Sequence, residues 1–305
     1  MTLPRAMYAT LIAETPSAEV FAAVSREWLA GALDEVFPAL REGLRTRPVV
    51  TLRPRSARDT LGAAWGEPGH ILGELGIYQK RPGYGGREVV YSEQAWERFL
   101  VALAGYPWVA RIEIRPLDDR GRPGGYPPTE MRVARNVFSP AWATFTFSAP
   151  AEDTGWPQSA QTQDSWAEFV RRQAAEMGAC AGSMTDDIGP SLSALQRATR
   201  NGGPCLTASP EVLQGYSWIT VVPAELAGKL GEARALTATG AFHEVSTLPN
   251  GALWLRATPT VDDFAGDRVR MVFEALAPVL LTGTAEFAFG EKYRIVEGVD
   301  AADYR

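Results

Sequence analysis

An alternation of apolar and charged residues near the middle of the chain places the strictest limit on its fold. In residues 110–115, Ala-Arg-Ile-Glu-Ile-Arg, apolar and charged side chains take strict turns. Successive side chains of a β-strand point to opposite faces, so the segment predicts a strand with one buried face and one that meets solvent or another polar surface. Residues 141–147 alternate in the same way, and a turn-rich loop at 118–128 precedes them. The two segments together predict an antiparallel pair of strands.

Helical periodicity predicts several helices around these strands. Apolar residues recur at helical spacing through residues 20–40, which predicts one long amphipathic helix with a bend near Pro38. Ser92 has the side chain of a helix N-cap, and Gly105 is placed to end that helix. The Ser-x-x-Glu spacing that begins at Ser165 predicts the start of another helix.

Residues 215–283 predict a compact unit of strand, helix, hairpin and helix. A strand at 216–222 leads into a helix that Pro223 begins and Gly231 ends. The hairpin turns at Pro-Asn-Gly, residues 249–251, where Asn and Gly adopt positive φ at low cost. A final helix follows the hairpin.

These patterns predict an α+β fold in which antiparallel sheets carry helices packed on one face. Each half of the chain runs through helix, strand and hairpin, so two similar half-units, 1–150 and 151–305, are one organisation that fits the sequence. A single continuous domain is the other. The similarity between the halves is too low to define a repeat.

Composition and charge exclude several classes of protein. The 305 residues are 46% hydrophobic and 22% charged, values typical of a globular protein with a sizeable core. A net charge of -6 argues against a nucleic-acid partner, because contact with phosphates needs a basic face. No apolar run reaches the ~20 residues that span a bilayer, so we expect no membrane partner and a cytoplasmic location. Two cysteines, Cys180 and Cys205, are too few to indicate a disulfide scaffold.

Short apolar and turn motifs follow one another in a fixed order within residues 215–283. They are Tyr216-x-Trp218, Pro223-Ala224-Glu225-Leu226, Leu230-Gly231, Gly240-Ala241-Phe242, Leu248-Pro249-Asn250-Gly251, Leu255-x-Ala257-Thr258-Pro259 and Phe273-x-x-Leu276-Ala277-Pro278-Val279-Leu280. This order resembles the type VI-like immunity family of bacterial proteins. The resemblance is weaker between residues 92 and 200 and absent over the first 90. The chain departs from the family at Glu232, where many members carry a second glycine.

The resemblance implies that the protein protects its producer by binding a cognate toxin and blocking it, in the context of type VI secretion. It implies a protein partner, no cofactor and no catalytic residue. An inhibitor of this kind needs a stable scaffold and a patterned surface but no reactive group.

Exposed aromatic and arginine side chains are the first candidates for contact with a partner, because they dominate interface energetics. Trp254 and Arg256 lie on the strand face opposite Leu253 and Leu255. On a strand with one exposed face they would be binding anchors. On a strand buried on both faces, Trp254 would belong to the core.

Three acidic pairs are further candidates for partner binding: Asp118 with Asp119, Asp186 with Asp187, and Asp262 with Asp263. Against a basic toxin such as a nuclease, these carboxylates would steer association and occupy the substrate groove. The alternative is that they cap helices and lie in solvated loops.

Residue patterns of catalysis are weak throughout the chain. His70 and His243 are the only histidines, and the segment 215–219, Gly-Tyr-Ser-Trp-Ile, lacks the second glycine of a nucleophile elbow. The two cysteines and two histidines have no close ligand pair for zinc. Glycine-rich residues 83–87 lack the lysine of a phosphate-binding loop. Paired carboxylates still allow a hydrolase, because a glycosidase needs only two acids at a set separation.

Three functions therefore remain for this sequence. They are a toxin-neutralising protein, an assembly component of a secretion or phage-like particle, and a carboxylate-dependent hydrolase.

Overall fold

A computed structural model of the protein describes residues 6–49, 65–80, 87–124, 128–137, 139–150, 159–186, 212–213 and 215–280, and two strands at 283–286 and 292–295. The strands are β1 (Ala6–Glu14), β2 (Ile71–Tyr78), β3 (Arg87–Val90), β4 (Val109–Pro116), β5 (Thr129–Arg135), β6 (Trp142–Pro150), β7 (Ala181–Thr185), β8 (Ile219–Val222), β9 (Glu244–Thr247), β10 (Leu253–Arg256), β11 (Gly283–Glu286) and β12 (Lys292–Ile295). The α-helices are α1 (Ala18–Gly31), α2 (Pro38–Thr46), α3 (Glu93–Ala102), α4 (Ala160–Glu176), α5 (Ala224–Ala227), α6 (Glu232–Ala238) and α7 (Asp267–Leu276). This content confirms the predicted α+β class.

The chain divides into two compact units. The first comprises Met1–Ala6 and Thr15–Trp156, and the second comprises Met7–Glu14 and Pro157–Arg305. All of β1 except Ala6 thus belongs to the second unit. None of the helices that the structure describes combines the length and apolar character needed to span a membrane.

The first unit contains five antiparallel strands in the order β3-β2-β4-β5-β6. The predicted segments 110–115 and 141–147 lie in β4 and β6, but they are not neighbours, because β5 pairs with both. The predicted pairing was therefore wrong. The strand β5 also alternates, with Met131 and Val133 fully buried between polar residues, so the same period of two accounts for it.

Helix α1 packs on the apolar side of this sheet through Trp28, which is fully buried. Its indole ring stacks on Phe147 at 5.9 Å between ring centres and meets Phe145 edge-on at 6.2 Å. The indole N–H donates to the Thr146 carbonyl at 3.2 Å, so the polar atom of this buried ring is satisfied. Burying one large apolar side chain contributes about 2 to 3 kcal/mol, which makes this cluster a principal anchor of the helix.

The long helix predicted for residues 20–40 is interrupted rather than bent. Helix α1 continues into a π-helical turn, Ala32–Val36, and Phe37 then leaves the helical region with φ -123° and ψ 46°. Pro38 begins α2. The proline ring disfavours the helical conformation at the residue before it, so the break falls at Phe37.

The second unit contains antiparallel strands in the order β1-β7-β8-β10-β9, and β11 pairs with β12. The predicted hairpin turn is present, with Gly251 at φ 85°. The Asn250 side-chain amide donates to the carbonyls of Gly178 and Ala179, each at 3.0 Å. The turn is therefore tied to the chain that follows α4.

One helix start in the second unit differs from the predictions, and one further helix is present. Helix α4 begins at Ala160 with Ser159 as its N-cap, whose hydroxyl accepts from Thr162 N–H at 3.4 Å. Ser165 lies inside the helix and donates to the Gln161 carbonyl at 3.0 Å, so it caps nothing. Helix α6 was not predicted. Gly231, at φ 75°, ends the helical turn Gly228–Leu230 that continues α5, which confirms the predicted helix end, and it is also the N-cap of α6.

We expect replacement of Ser159 by Ala to lower the free energy of unfolding by about 1 kcal/mol, because one orphan N–H loses its acceptor. Ser165→Ala is the matched control on the same helix and should leave stability unchanged or raise it slightly. Urea unfolding of both variants measures the difference. If Ser165→Ala is the more damaging of the two, the helix begins at Ser165 and this assignment is wrong.

Candidate functional site

One side of the first unit's sheet carries charged side chains instead of the apolar core. In β4, Ile112 and Ile114 are fully buried on the helix side, and the alternate residues face the other way. We call this opposite side the polar face. Its residues are Glu74, Tyr78, Glu88, Arg111, Glu113, Arg115, Glu130 and Arg132. It combines the residue types that most often dominate protein interfaces with those that perform acid-base chemistry.

The strand register arranges these charges in rows across the sheet. Glu113 lies directly opposite Glu74 on one side and Glu130 on the other. In the neighbouring row, Arg111 lies directly opposite Arg132. Like charges directly opposite each other on adjacent strands destabilise a sheet, so bonds between the rows have to compensate.

A three-residue network binds β2, β3 and β4 together on the polar face. The Tyr78 hydroxyl donates to Glu88 Oε1 at 2.6 Å, and Arg111 Nη2 donates to the same oxygen at 2.8 Å. The Arg111 guanidinium carbon lies 5.7 Å from the centre of the Tyr78 ring. Burial, and then the hydrogen bond to Glu88, raise the pKa of Tyr78, so the phenol stays protonated as a donor.

Gly76 makes the close packing of this network possible. A Cβ atom at that position would lie 2.9 Å from Cε2 of Tyr78 and 3.2 Å from Cγ of Arg111. Both contacts are too short for an unmoved side chain. The glycine therefore lets the tyrosine ring lie over the sheet.

Glu113 is held by two arginines and is only 8% exposed. Arg115 donates to its Oε1 through Nε at 2.7 Å and also through Nη2. Arg111 Nη1 lies 3.5 Å from its other carboxylate oxygen. Because a buried carboxyl group without partners is costly, these two arginines supply the hydrogen bonds and opposite charge that its burial requires.

Glu130 has the opposite environment. Burial raises the pKa of its carboxyl, and the neighbouring charge of Glu113 adds to this effect. Arg132 and Arg111 lower the pKa but do not offset the burial. The polar face therefore holds one carboxylate that is bound by arginines and a second carboxyl that resists ionisation.

The structure places Trp254 and Arg256 inside the second unit rather than on an exposed face. Trp254 is fully buried, and Arg256 is 8% exposed. The Arg256 guanidinium donates to Asp164 and to the Pro259 carbonyl, and its Cζ lies 5.2 Å from the centre of the Trp218 ring. Strand β10 pairs with β8 on one side and β9 on the other, and all of its residues are buried, so both of its faces are covered. In this conformation Trp254 is a core residue.

Asp262 and Asp263 are exposed and lie in a 3₁₀ turn. Asp262 accepts from Gln163 Nε2 at 3.4 Å, and Asp263 accepts from the Thr260 hydroxyl at 2.6 Å. Their exposed positions leave them available to a partner while they also shape the turn.

The other acidic candidates have mixed environments. Asp118 accepts from the backbone N–H groups of Arg120 and Arg122, each at 2.9 Å. These bonds, the Arg122 backbone bond first, lower the pKa of Asp118 and give it a role in the turn. Asp119 is exposed and Asp186 is half-buried, whereas Asp187 lies outside the described residues.

The residues considered for catalysis or metal binding are not brought together. His70 Nε2 lies 3.6 Å from Glu67, and the His243 N–H donates to the Ala257 carbonyl at 3.1 Å. The Cys180 thiol donates to the Ile12 carbonyl at 3.4 Å. Cys205 lies outside the described residues. Within the part of the chain that the structure describes, no three His, Cys, Asp or Glu side chains are grouped to hold a metal ion.

The alternation at 110–115 predicts that Arg111, Glu113 and Arg115 share one polar side of a strand, but the register that sets Glu88 and Glu130 near Arg111 depends on which strands pair. Strand β5 was not predicted, so Arg132 and Glu130 were missed. Their own alternation with Met131 could have identified them.

Comparison with known proteins adds a fold relationship. No protein-family model matches the chain. No curated protein matches it in sequence. Its structure is similar to that of a Pseudomonas aeruginosa protein named T6SS protein PA0821, with a TM-score of 0.55 and 13% sequence identity over 98% of this chain and 81% of that chain. At that identity the likeness establishes the α+β fold and no activity.

Replacing Glu130 by Gln tests the electrostatics of the polar face. A raised pKa means that the folded protein favours the protonated carboxyl, so ionisation costs stability once the pH exceeds the value of about 4.3 for an unfolded chain. Glu130→Gln should therefore be more stable than the wild type at pH 7, and this advantage should disappear as the pH falls below 4. Urea unfolding of the wild type and of Glu130→Gln, at pH 7 and again below pH 4, measures this difference in the free energy of unfolding.

Glu168 is the control, because its pKa is lowered whereas that of Glu130 is raised. Its hydrogen bond from Arg171 lowers the pKa of this carboxyl, so its stabilising contribution is present above about pH 4.3 and lost below it. Glu168→Gln should lower stability at pH 7. A Glu130→Gln variant that is also less stable at pH 7 would show that the polar face favours the ionised form.

Proposed function

We propose that the protein is a binding protein associated with type VI secretion, and that it neutralises a cognate toxin by direct contact. The observation that carries the proposal is the polar face, a prearranged surface of arginine, glutamate and tyrosine on a rigid sheet. The likeness in fold to a protein named for type VI secretion and the motif order within residues 215–283 support it.

The polar face suits contact with a protein because its side chains are already held in place. Arg111 is bound to Glu88, and Arg115 is bound to Glu113, so little side-chain freedom remains to be lost when a partner docks. The side chains of Glu88 and Arg111 are 26% and 30% exposed. Tyrosine and arginine in such positions are the residues that most often carry binding energy.

The exposed acidic residues have a complementary part in this proposal. Asp262, Asp263 and Asp119 are exposed and contribute to the chain's net charge of -6. Such charge would speed encounter with a basic toxin without forming the tight contact itself. An assembly component of the secretion machinery is a related possibility, since the name of the structural neighbour fits either role.

A carboxylate-dependent hydrolase is the second candidate, and Glu130 is the observation that favours it. A carboxyl whose pKa is raised by burial, on the strand beside a second carboxyl that accepts hydrogen bonds from arginine, is an arrangement in which an acid and a base can divide their roles. The two functions differ in stoichiometry. A binding inhibitor protects mole for mole, whereas a hydrolase acts in small amounts and requires Glu130.

Co-expression tests the proposed function. The protein should restore growth to cells that produce a toxin domain encoded beside its gene, and the two should purify as a complex of fixed ratio. Glu130→Gln should still protect, because a binding protein needs no proton donor. The proposal is wrong if the wild-type protein gives neither growth nor a complex, and the hydrolase replaces it if substoichiometric protein protects and Glu130→Gln does not.

A further inference from the structure

Tyr78 places an aromatic ring on the polar face, in a position that its neighbours hold fixed. The ring lies over Gly76, where a Cβ atom would come within 2.9 Å of Cε2 and 3.3 Å of the hydroxyl oxygen. The hydroxyl donates to Glu88 Oε1 at 2.6 Å, which fixes the far end of the ring. Tyr78 is still only half-buried, so the part of the ring that faces away from the sheet meets solvent.

The charges of the polar face are divided unevenly between its strands. The outer strands β2 and β3 contribute the carboxylates of Glu74 and Glu88, whereas the three arginines of the polar face lie on β4 and β5. Arg111 is the nearest of these arginines to Tyr78, and its single charge is shared between Glu88 at 2.8 Å and Glu113 at 3.5 Å. The outer half of the polar face, where Tyr78 lies, is therefore its acidic half.

We infer that the Tyr78 ring and the Glu88 carboxylate together bind a basic side chain of the protein partner, an arginine of the toxin domain. This inference rests on the proposed function. A guanidinium is planar, so it stacks on the face of an aromatic ring while its N–H groups point outward to a carboxylate. Glu88 lies at the rim of the Tyr78 ring, where it accepts from the hydroxyl, and its side chain is 26% exposed.

Rigidity and charge both favour this occupant. Because Gly76 and Glu88 already fix the ring, little conformational entropy is lost when a guanidinium stacks on it. A carboxylate of the partner would meet Glu74 and Glu88 as like charges, whereas an arginine meets them as opposite charges. The same sign suits a toxin that is basic as a whole, which the net charge of -6 on this chain would attract.

Affinities of matched variants test this inference. Calorimetric titration of the toxin domain encoded beside the gene should show that Tyr78→Leu weakens binding about tenfold, because the stacking surface is lost. Tyr78→Phe keeps the ring and should weaken binding less. Glu88→Gln should also weaken binding, because the guanidinium loses its carboxylate. Glu168→Gln is the matched control and should bind as the wild type does, since it removes a glutamate from an exposed pair on α4.

Labelling of the toxin domain tests the same contact without any change at Tyr78. Phenylglyoxal modifies arginine side chains, and mass spectrometry reports the reactivity of each one. We expect one arginine of the toxin domain to be protected in the wild-type complex and to regain reactivity in the complex with Glu88→Gln. This measurement decides the inference if Tyr78→Leu does not fold.

The outcomes separate this inference from the proposed function. If the wild-type protein binds the toxin domain and folded Tyr78→Leu binds it equally well, the inference fails and the proposed function stands. The inference also fails alone if the complex forms while every arginine of the toxin domain stays reactive. If the wild-type protein forms no complex with the toxin domain, the proposed function fails and the inference fails with it.

Discussion

The two-sided alternation of β4 and β5 is the constraint on which both the core and the candidate site depend. Ile112 and Met131 are paired across these strands and fully buried on the helix side. Glu113 and Glu130, the next pair in register, lie on the opposite side. A slip of one residue would place carboxylates under α1 and isoleucines on the polar face. The apolar side therefore fixes the register that brings the charged residues together.

Local sequence chemistry predicted the features that a few neighbouring residues determine. Ser92 caps α3, and the Asn-Gly turn forms its hairpin. The wrong predictions arose where two local signals compete. Ser165 has a capping pattern as good as that of Ser159, but the helix starts earlier because residues on both sides of Ser165 pack inward. Sequence spacing alone does not measure that burial.

The candidate site was predicted less well because it is a property of strand order. Arg111, Glu113 and Arg115 were assigned to a polar face from their alternation, whereas Glu88 joins them only through the pairing of β3 with β2. Trp254 shows the converse. Its alternation matches that of an exposed residue, but Trp254 is completely buried. An alternation with a period of two residues separates the two faces of a strand, but it does not indicate which face meets solvent.

Binding of a partner at the polar face, as proposed above, is tested by labelling the carboxyl groups of the free and the toxin-bound protein. Carbodiimide coupling followed by mass spectrometry reports the reactivity of each carboxylate separately. We expect Glu88 and Glu74 to lose reactivity in the complex, whereas Asp267, which is exposed on α7, should keep its reactivity. Protection confined to Asp262 and Asp263, with Glu88 and Glu74 unchanged, would contradict it.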